Sequence, residues 1–346
     1  MLYTKICEML SIKYPIISAG MGYISRAELV ATVSEAGGLG VIGAFGLSSE
    51  ELLNEVKQVK NLTDKPFGVD VVFPEVGDRL SSLTEEKIRS IGGDKPLSEL
   101  VWNILNYIPH ILNQQLDIAV EEKVPVVISG LGNPANFIPR ARAYGIKVGA
   151  LIGTVKQAQR LEQVGVDFII AQGYDAGGHT GRIGTMSLVP QVVSAVNVPV
   201  LAAGGIGDGR GIVAALALGA EGVVMGTRFV ATIEAAGHER YKERVTHSTE
   251  SDWVITRSYT GKTIRTARNR WTEEWANKED EALPFPLQFI KAGERTIPGG
   301  WVGGDIEYGL CPAGQIAGMI DEVKSAKEVI RDIVDEAEKI LHELTL

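Results

Sequence analysis

Of the five histidines in this chain, His179 stands where a histidine could do chemistry. It follows Gly177-Gly178 within QGYDAGGHTG, just past a short apolar run, so a permissive backbone delivers an imidazole to the end of a strand. Imidazole takes and returns a proton near neutral pH, which makes His179 a candidate general base. Asp175 is the nearest carboxylate in sequence; it could orient the ring or bond the loop backbone instead. His110, His238, His247 and His342 lie in connecting or terminal segments and read as structural. There is no HExxH, no second histidine near His179 and no GxSxG elbow, so no metal site is expected and a serine nucleophile lacks support. A phosphate-bearing cofactor must then supply most of the chemistry.

Glycine placement says where that cofactor would sit. The chain holds 40 glycines with no collagen-like period. Ala203-Gly204-Gly205-Ile206 ends one apolar run and opens a helix around Asp208; Val224-Met225-Gly226-Thr227 ends the next and opens another. Glycine turns that lead into helix N-termini expose N–H donors to an anion, and after strands seven and eight of a barrel they form a phosphate site.

The strand count supports that reading. Apolar runs at Tyr14–Ala19, Leu39–Gly43, Phe67–Val72, Val124–Ser129, Ile146–Leu151, Val166–Ala171, Val198–Ala203 and Gly222–Gly226 alternate with helical patterns. Eight such units predict an α/β fold, a (β/α)8 TIM barrel, over residues 1–237. Loops after the strands share one face, which gathers Gly20-Met21-Gly22, Asp70, Ser129-Gly130, Gln172, Gly177-Gly178-His179 and the two glycine turns. That mouth suits a flat, polar ligand gripped mainly by backbone. Ser25 with Glu28, Ser48 with Glu51 and Thr154 with Gln157 have capping-box spacing. Gly37, Gly145, Gly165, Gly219 and Gly237 stand at expected helix ends, where positive φ is needed.

Two stretches break the alternation. Residues 74–122 are too long for one barrel helix and read as a helix with an insertion after the third strand. Residues 238–310 hold Trp253, Trp271, Trp275 and Trp301 and read as a cap over the mouth. Residues 311–346 return to the barrel and end in a helix striped by Val323, Ala326, Ile330, Ile333, Ala337, Ile340 and Leu344.

Composition excludes other classes. With 34 Lys+Arg against 43 Asp+Glu the net charge is −9, and without a basic patch no nucleic-acid partner is expected. No apolar run approaches the roughly 18–20 residues that span a bilayer, so no membrane association is expected. Two distant cysteines, Cys7 and Cys311, fit a reduced cytoplasmic compartment. Association into a homo-oligomer is left open.

The segments AQGYDAGGHTG, LVPQVV and PVLAAGGIGDGRGIVAALALGAEGVVMGTRF, with PIISAGMGYIS and EAGGLGVIGA before them and PAGQIAGMI after, resemble the nitronate monooxygenase family, formerly 2-nitropropane dioxygenases. The resemblance implies an FMN-bound TIM barrel that oxidises alkyl nitronates, and sometimes nitroalkanes, with O2. It implies a flavin ring near Ala19, Gly20, Met21, Gly22 and Gln172, flanked by Gly177 and Gly178. It implies a phosphate on Gly204-Gly205 and on Gly226-Thr227 after Val224-Met225, and it matches His179 to the family's catalytic histidine. Asp70 departs from the pattern, since many members carry Asn there. The AGGH signature also resembles the flavin-dependent enoyl-acyl-carrier-protein reductases, which need NADH and an acyl-carrier partner; a clear dinucleotide fingerprint is missing here. A flavin-binding barrel without turnover is the non-enzymatic alternative, and the histidine at the mouth argues against it.

Overall fold

Runs of β-branched residues buried on both faces fix the strands, as expected for a parallel sheet covered by helices outside and filled by side chains inside. The computed structural model of the protein describes residues 2–73, 110–285, 287–295 and 298–344. Among these, eleven strands are numbered in chain order: β1 Ile16–Ser18, β2 Gly40–Gly43, β3 Phe67–Phe73, β4 Val126–Gly132, β5 Lys147–Ile152, β6 Phe168–Gln172, β7 Gly178–His179, β8 Val200–Ala203, β9 Gly222–Met225, β10 Trp253–Thr256 and β11 Ile264–Ala267. Eight form one sheet in the order β1-β9-β8-β6-β5-β4-β3-β2, every neighbouring pair parallel. The sheet closes at Ile17 and Leu39, where the Ser18 N–H donates to Leu39 O at 3.0 Å and the Leu39 N–H to Ile16 O at 2.9 Å. All eight predicted runs are barrel strands, and the fold is the TIM barrel.

Alternation along the strands divides the core. Ile17, Val41, Ile128, Phe168, Ile170, Leu201 and Val224 fill the barrel interior, together with Ile6, Cys7 and Leu10 of the helix Lys5–Leu10. That helix plugs the N-terminal end of the barrel, where the Thr4 hydroxyl donates to Glu221 O at 2.5 Å. The interior is packed, so a ligand has only the opposite mouth to enter. Outside, Ile16, Ile42, Val69, Val127, Ile169 and Val223 meet the helices.

The outer helical layer uses a distant segment. After β9 comes only the short helix Thr227–Val230, and the place beside Gly209–Ala217 and Ala27–Glu35 is taken by the C-terminal helix Ala326–Leu344. Its buried residues are Ala326, Val329, Ile330, Ile333, Val334 and Ala337. The predicted stripe is therefore shifted: Val323 precedes the helix, Leu344 is exposed, and Val329 and Val334 face the barrel instead.

Local signals held unevenly. Ser48 and Glu51 make both bonds of the capping box. Thr154 accepts from the Gln157 N–H, but the Gln157 side chain accepts from Gly153, so only half a box forms. Ser25 is no cap at all, because the helix Ala27–Glu35 has Arg26 as its N-cap. The Ser25 hydroxyl instead donates to Ala19 O at 2.8 Å and accepts from the Met21 N–H at 3.1 Å, pinning the turn after β1. Gly37, Gly145, Gly165 and Gly219 have the expected positive φ. Gly237 does not; a Cβ there would lie 2.9 Å from Ile24 Cδ1, so the site needs room rather than a left-handed backbone.

Residues 238–310 contain the helices Glu239–Thr246, Arg270–Trp275 and Leu287–Ala292 and the hairpin β10–β11. Tyr259, Trp271 and Trp275 stack at centroid distances of 5.8 and 5.6 Å in a small core of their own. The antiparallel sheet β10-β11-β7 joins this segment to the barrel: Ile264 pairs with His179, and Arg265 with Gly178. The insertion predicted within residues 74–122 lies outside the described residues up to residue 109; the helix His110–Glu121 follows it.

Candidate active site at the barrel mouth

The residues that the sequence assigned to the base, the flavin ring and the phosphate line one cavity of about 310 Å³ at the C-terminal ends of the strands, whereas Ser129 and Asp175 lie outside its lining. Ala19–Gly22 come from the turn after β1, Asp70 from β3, Gln172 and Gly177–His179 from β6 and β7, and Gly204-Gly205 and Val224–Thr227 from the ends of β8 and β9. The turns are brought together because each follows a strand of one closed sheet.

His179 is held from two sides. Gln172 Nε2 donates to its carbonyl at 2.6 Å, and its ring Nε2 lies 3.0 Å from Thr260 Oγ1. The Thr260 hydroxyl donates to Lys262 O at 3.1 Å, which commits its only proton. The network then assigns the hydrogen to His179 Nε2, which donates to Thr260, and leaves a lone pair on Nδ1. Burial pushes the imidazole pKa down to about 4, and the positive charge of Lys262 adds to the effect. Surrounding protein encloses the residue, yet more than a third of its surface opens on the cavity. The ring is therefore neutral at physiological pH, the state in which an imidazole can accept a proton. Asp175 is not its orienting group; the Asp175 carboxylate accepts from the Thr185 N–H at 2.9 Å and shapes the loop.

Asp70 occupies a slot made by two glycines. A Cβ on Gly20 would lie 2.2 Å from Asp70 Cβ, and one on Gly130 would lie 2.3 Å from Asp70 Oδ1. Burial holds the carboxyl well above the usual carboxylate range, with the Gly130 N–H opposing. A carboxyl that keeps its proton donates as well as accepts, the capacity an Asn would have.

The expected phosphate cup needs one correction. The N-terminus of the helix Gly209–Ala217 is already occupied: Asp208 Oδ1 accepts from the Gly211 N–H at 3.1 Å, and Glu336 Oε2 accepts from the Gly209 N–H at 2.7 Å. Two carboxylates repel a phosphate there. The usable donors lie before the helix, in the turn where Gly204 and Gly205 have φ of 96° and 71°. Among the described residues the N–H groups of Gly205, Ile206 and Gly226 meet no protein acceptor. Gly226 itself has negative φ, so its glycine serves space rather than conformation.

The sequence placed Trp301 in a cap over the mouth but did not single out Thr260, Lys262 or Phe285. Thr260, Lys262, Phe285 and Trp301 line the cavity, as do Pro312, Gly314 and Ile316 from the PAGQI segment. Gly314 donates to Thr227 Oγ1 at 2.9 Å, and a Cβ on Gly177 would lie 2.5 Å from Ala313 C, so this segment is pressed against both halves of the site.

A neutral imidazole beside a glycine-walled cavity and a turn of unpaired N–H groups suits a barrel that binds a phosphate-bearing cofactor. The chain belongs to the nitronate monooxygenase family, whose model matches residues 4–336. It is 39% identical to a probable nitronate monooxygenase of Staphylococcus saprophyticus over 304 residues, covering 83% of this chain and 84% of that one. FabK of Thermotoga maritima superposes with a TM-score of 0.84 at 35% identity, covering 100% of this chain and 99% of that one. A nitroalkane oxidase of Streptomyces ansochromogenes superposes with a TM-score of 0.81 at 28% identity, covering 98% and 99%. The protein is accordingly a flavin-dependent oxidoreductase of the nitronate monooxygenase type. The residues present fit a flavin nucleotide. At Gly178 a Cβ would meet nothing within 4 Å, and at Gly226 only Met21 Sδ at 3.5 Å and Ala19 Cβ at 3.6 Å, so both are cradle walls that a side chain would fill. No helix among the described residues is long and apolar enough to cross a membrane.

Proposed function

We propose that this chain holds FMN and oxidises alkyl nitronates, and nitroalkanes after deprotonation, with O2, and that His179 is the base. The observation that carries the reading is the neutral His179, its Nε2 occupied by Thr260 and its ring open to the cavity. FMN, when bound, supplies the electron transfer. The turn Gly204–Ile206 and Gly226-Thr227 would hold its phosphate, while Ala19–Gly22, Asp70, Gln172, Gly177 and Gly178 would hold its ring. The choice of FMN over FAD is supported by the crowding beyond that cup, where a Cβ on Gly207 would lie 2.8 Å from Ile316. A neutral nitroalkane must lose the proton on the carbon bearing the nitro group; His179 Nδ1 takes it, and the electron pair moves onto the nitro oxygens. A nitronate has already lost that proton and needs no base.

Replacing His179 with Asn tests the role. Nitroalkane turnover should fall about 10²–10⁴-fold while nitronate turnover is kept. In the wild type the nitroalkane rate should persist well below pH 6.5 and fail only as pH drops toward about 4, where the ring takes up a proton. Equal losses on both substrates would sink the base assignment. The likeness to FabK favours a second reading, NADH-dependent reduction of an enoyl thioester. Wild-type protein that reduces crotonyl thioester with NADH and oxidises no nitro compound would install it.

A further inference from the structure

Among the described residues lining the cavity, Lys262 is the only lysine or arginine, beside Asp70, His179 and the buried phenol of Tyr241. Lys262 belongs to the turn that carries Thr260, the hydroxyl bonded to His179. Its ammonium lies 4.9 Å from the centroid of the Phe285 ring, another part of the cavity wall. Among the described residues no carboxylate lies within ion-pair distance of it. Desolvation lowers its pKa, and its charge is felt by His179. A cation held against an aromatic face, beside a base and without a counter-ion, is a receptor for an anion.

We propose that Lys262 is the anion-binding residue of the substrate pocket, its ammonium receiving the nitro-group oxygens on which the negative charge of a nitronate gathers. The assignment rests on the nitro-oxidation reading above. It separates the two substrate forms. A nitronate carries its charge from the start, so Lys262 contributes to ground-state binding. A nitroalkane gains charge on those oxygens only as His179 removes the proton, so there Lys262 stabilises the transition state alone.

The test is Lys262→Met beside Lys262→Arg in the purified flavoprotein. For a nitronate, Lys262→Met should raise KM about ten- to hundredfold with kcat kept, the range of a charged hydrogen bond. For the parent nitroalkane it should lower kcat by a similar factor with KM kept, and Lys262→Arg should restore most of both. NMR of the His179 ring supplies a readout without turnover: loss of the neighbouring charge should raise its pKa. Nitrate, a planar oxyanion that cannot be oxidised, separates this idea from the function it rests on. If the wild type oxidises no nitro compound yet binds nitrate far better than Lys262→Met, the anion site stands and the nitro reading falls. Equal nitrate affinity in both proteins, or equal KM changes on both substrate forms, overturns the assignment.

Discussion

Arg265 offers the most demanding test of how the site is built. It is 2% exposed, and among the described residues no carboxylate pairs with it. Its guanidinium donates to Tyr174 O at 2.9 Å, Ala176 O at 3.2 Å and Trp253 O at 3.2 Å, and stacks 4.5 Å from the Tyr174 ring centroid. Two of those carbonyls belong to the loop that leads into His179 and the third to β10. Arg265→Met keeps the length and removes every donor. Three charged hydrogen bonds at about 1.5–3 kcal/mol each would total about 4.5–9 kcal/mol, but the variant no longer desolvates a guanidinium, which returns several kcal/mol. The net loss should be about 2–4 kcal/mol, a large share of the roughly 5–15 kcal/mol that stabilises a typical domain. Urea unfolding measures it, and nitroalkane kcat should fall alongside as the loop loosens. Arg265→Lys should lie between, because one ammonium cannot span three carbonyls on two segments. An Arg265→Met protein within about 0.5 kcal/mol of wild type, with unchanged kcat, would refute the clamp.

Gly226→Val and Gly205→Val should both weaken FMN binding, read by flavin fluorescence during titration of the apoprotein. Gly226→Val should leave apoprotein stability nearly unchanged, because its Cβ makes only ordinary contacts, whereas Gly205→Val, at φ 71° and 3.2 Å from Asp175 Cβ, should also cost on the order of 1–2 kcal/mol. Wild-type affinity in both would place the phosphate elsewhere. Asp70→Asn should stabilise the protein increasingly as pH rises from the ordinary carboxylate range to the raised folded pKa: ionising Asp70 is harder in the fold than in the unfolded chain, so only the wild type loses stability there. Unfolding at several pH values checks this, and a pH-independent difference would count against it.

The barrel is legible in the sequence because each strand is a short β-branched run buried on both faces, and the site glycines are legible because they follow those runs. Ser25 shows where that reading stops. Its spacing to Glu28 is that of a capping box, and only the nearness of the Ala19 carbonyl turns the hydroxyl toward the β1 turn. Asp208 does cap its helix, but the same carboxylate, with Glu336 from the far end of the chain, closes that N-terminus to an anion. Thr260 and Lys262 carry no local signal; they sit in a polar turn and reach His179, 81 residues from Thr260, through the pairing of β11 with β7. The eighth position of the helical ring is equally hidden, because continuity along the chain does not show that the last helix fills it.

That β11–β7 pairing ties the β10–β11 hairpin and the His179 ring into one mechanical part. Any displacement of the hairpin would draw Ile264 from His179 and Thr260 from the ring, so the imidazole would lose its strand partner and its hydroxyl contact at once. The hairpin's return would restore the strand register and the hydroxyl contact together, so the two cannot be set independently. A hairpin grafted onto this barrel would therefore have to reproduce both the register and the hydroxyl to leave the His179 ring where it is.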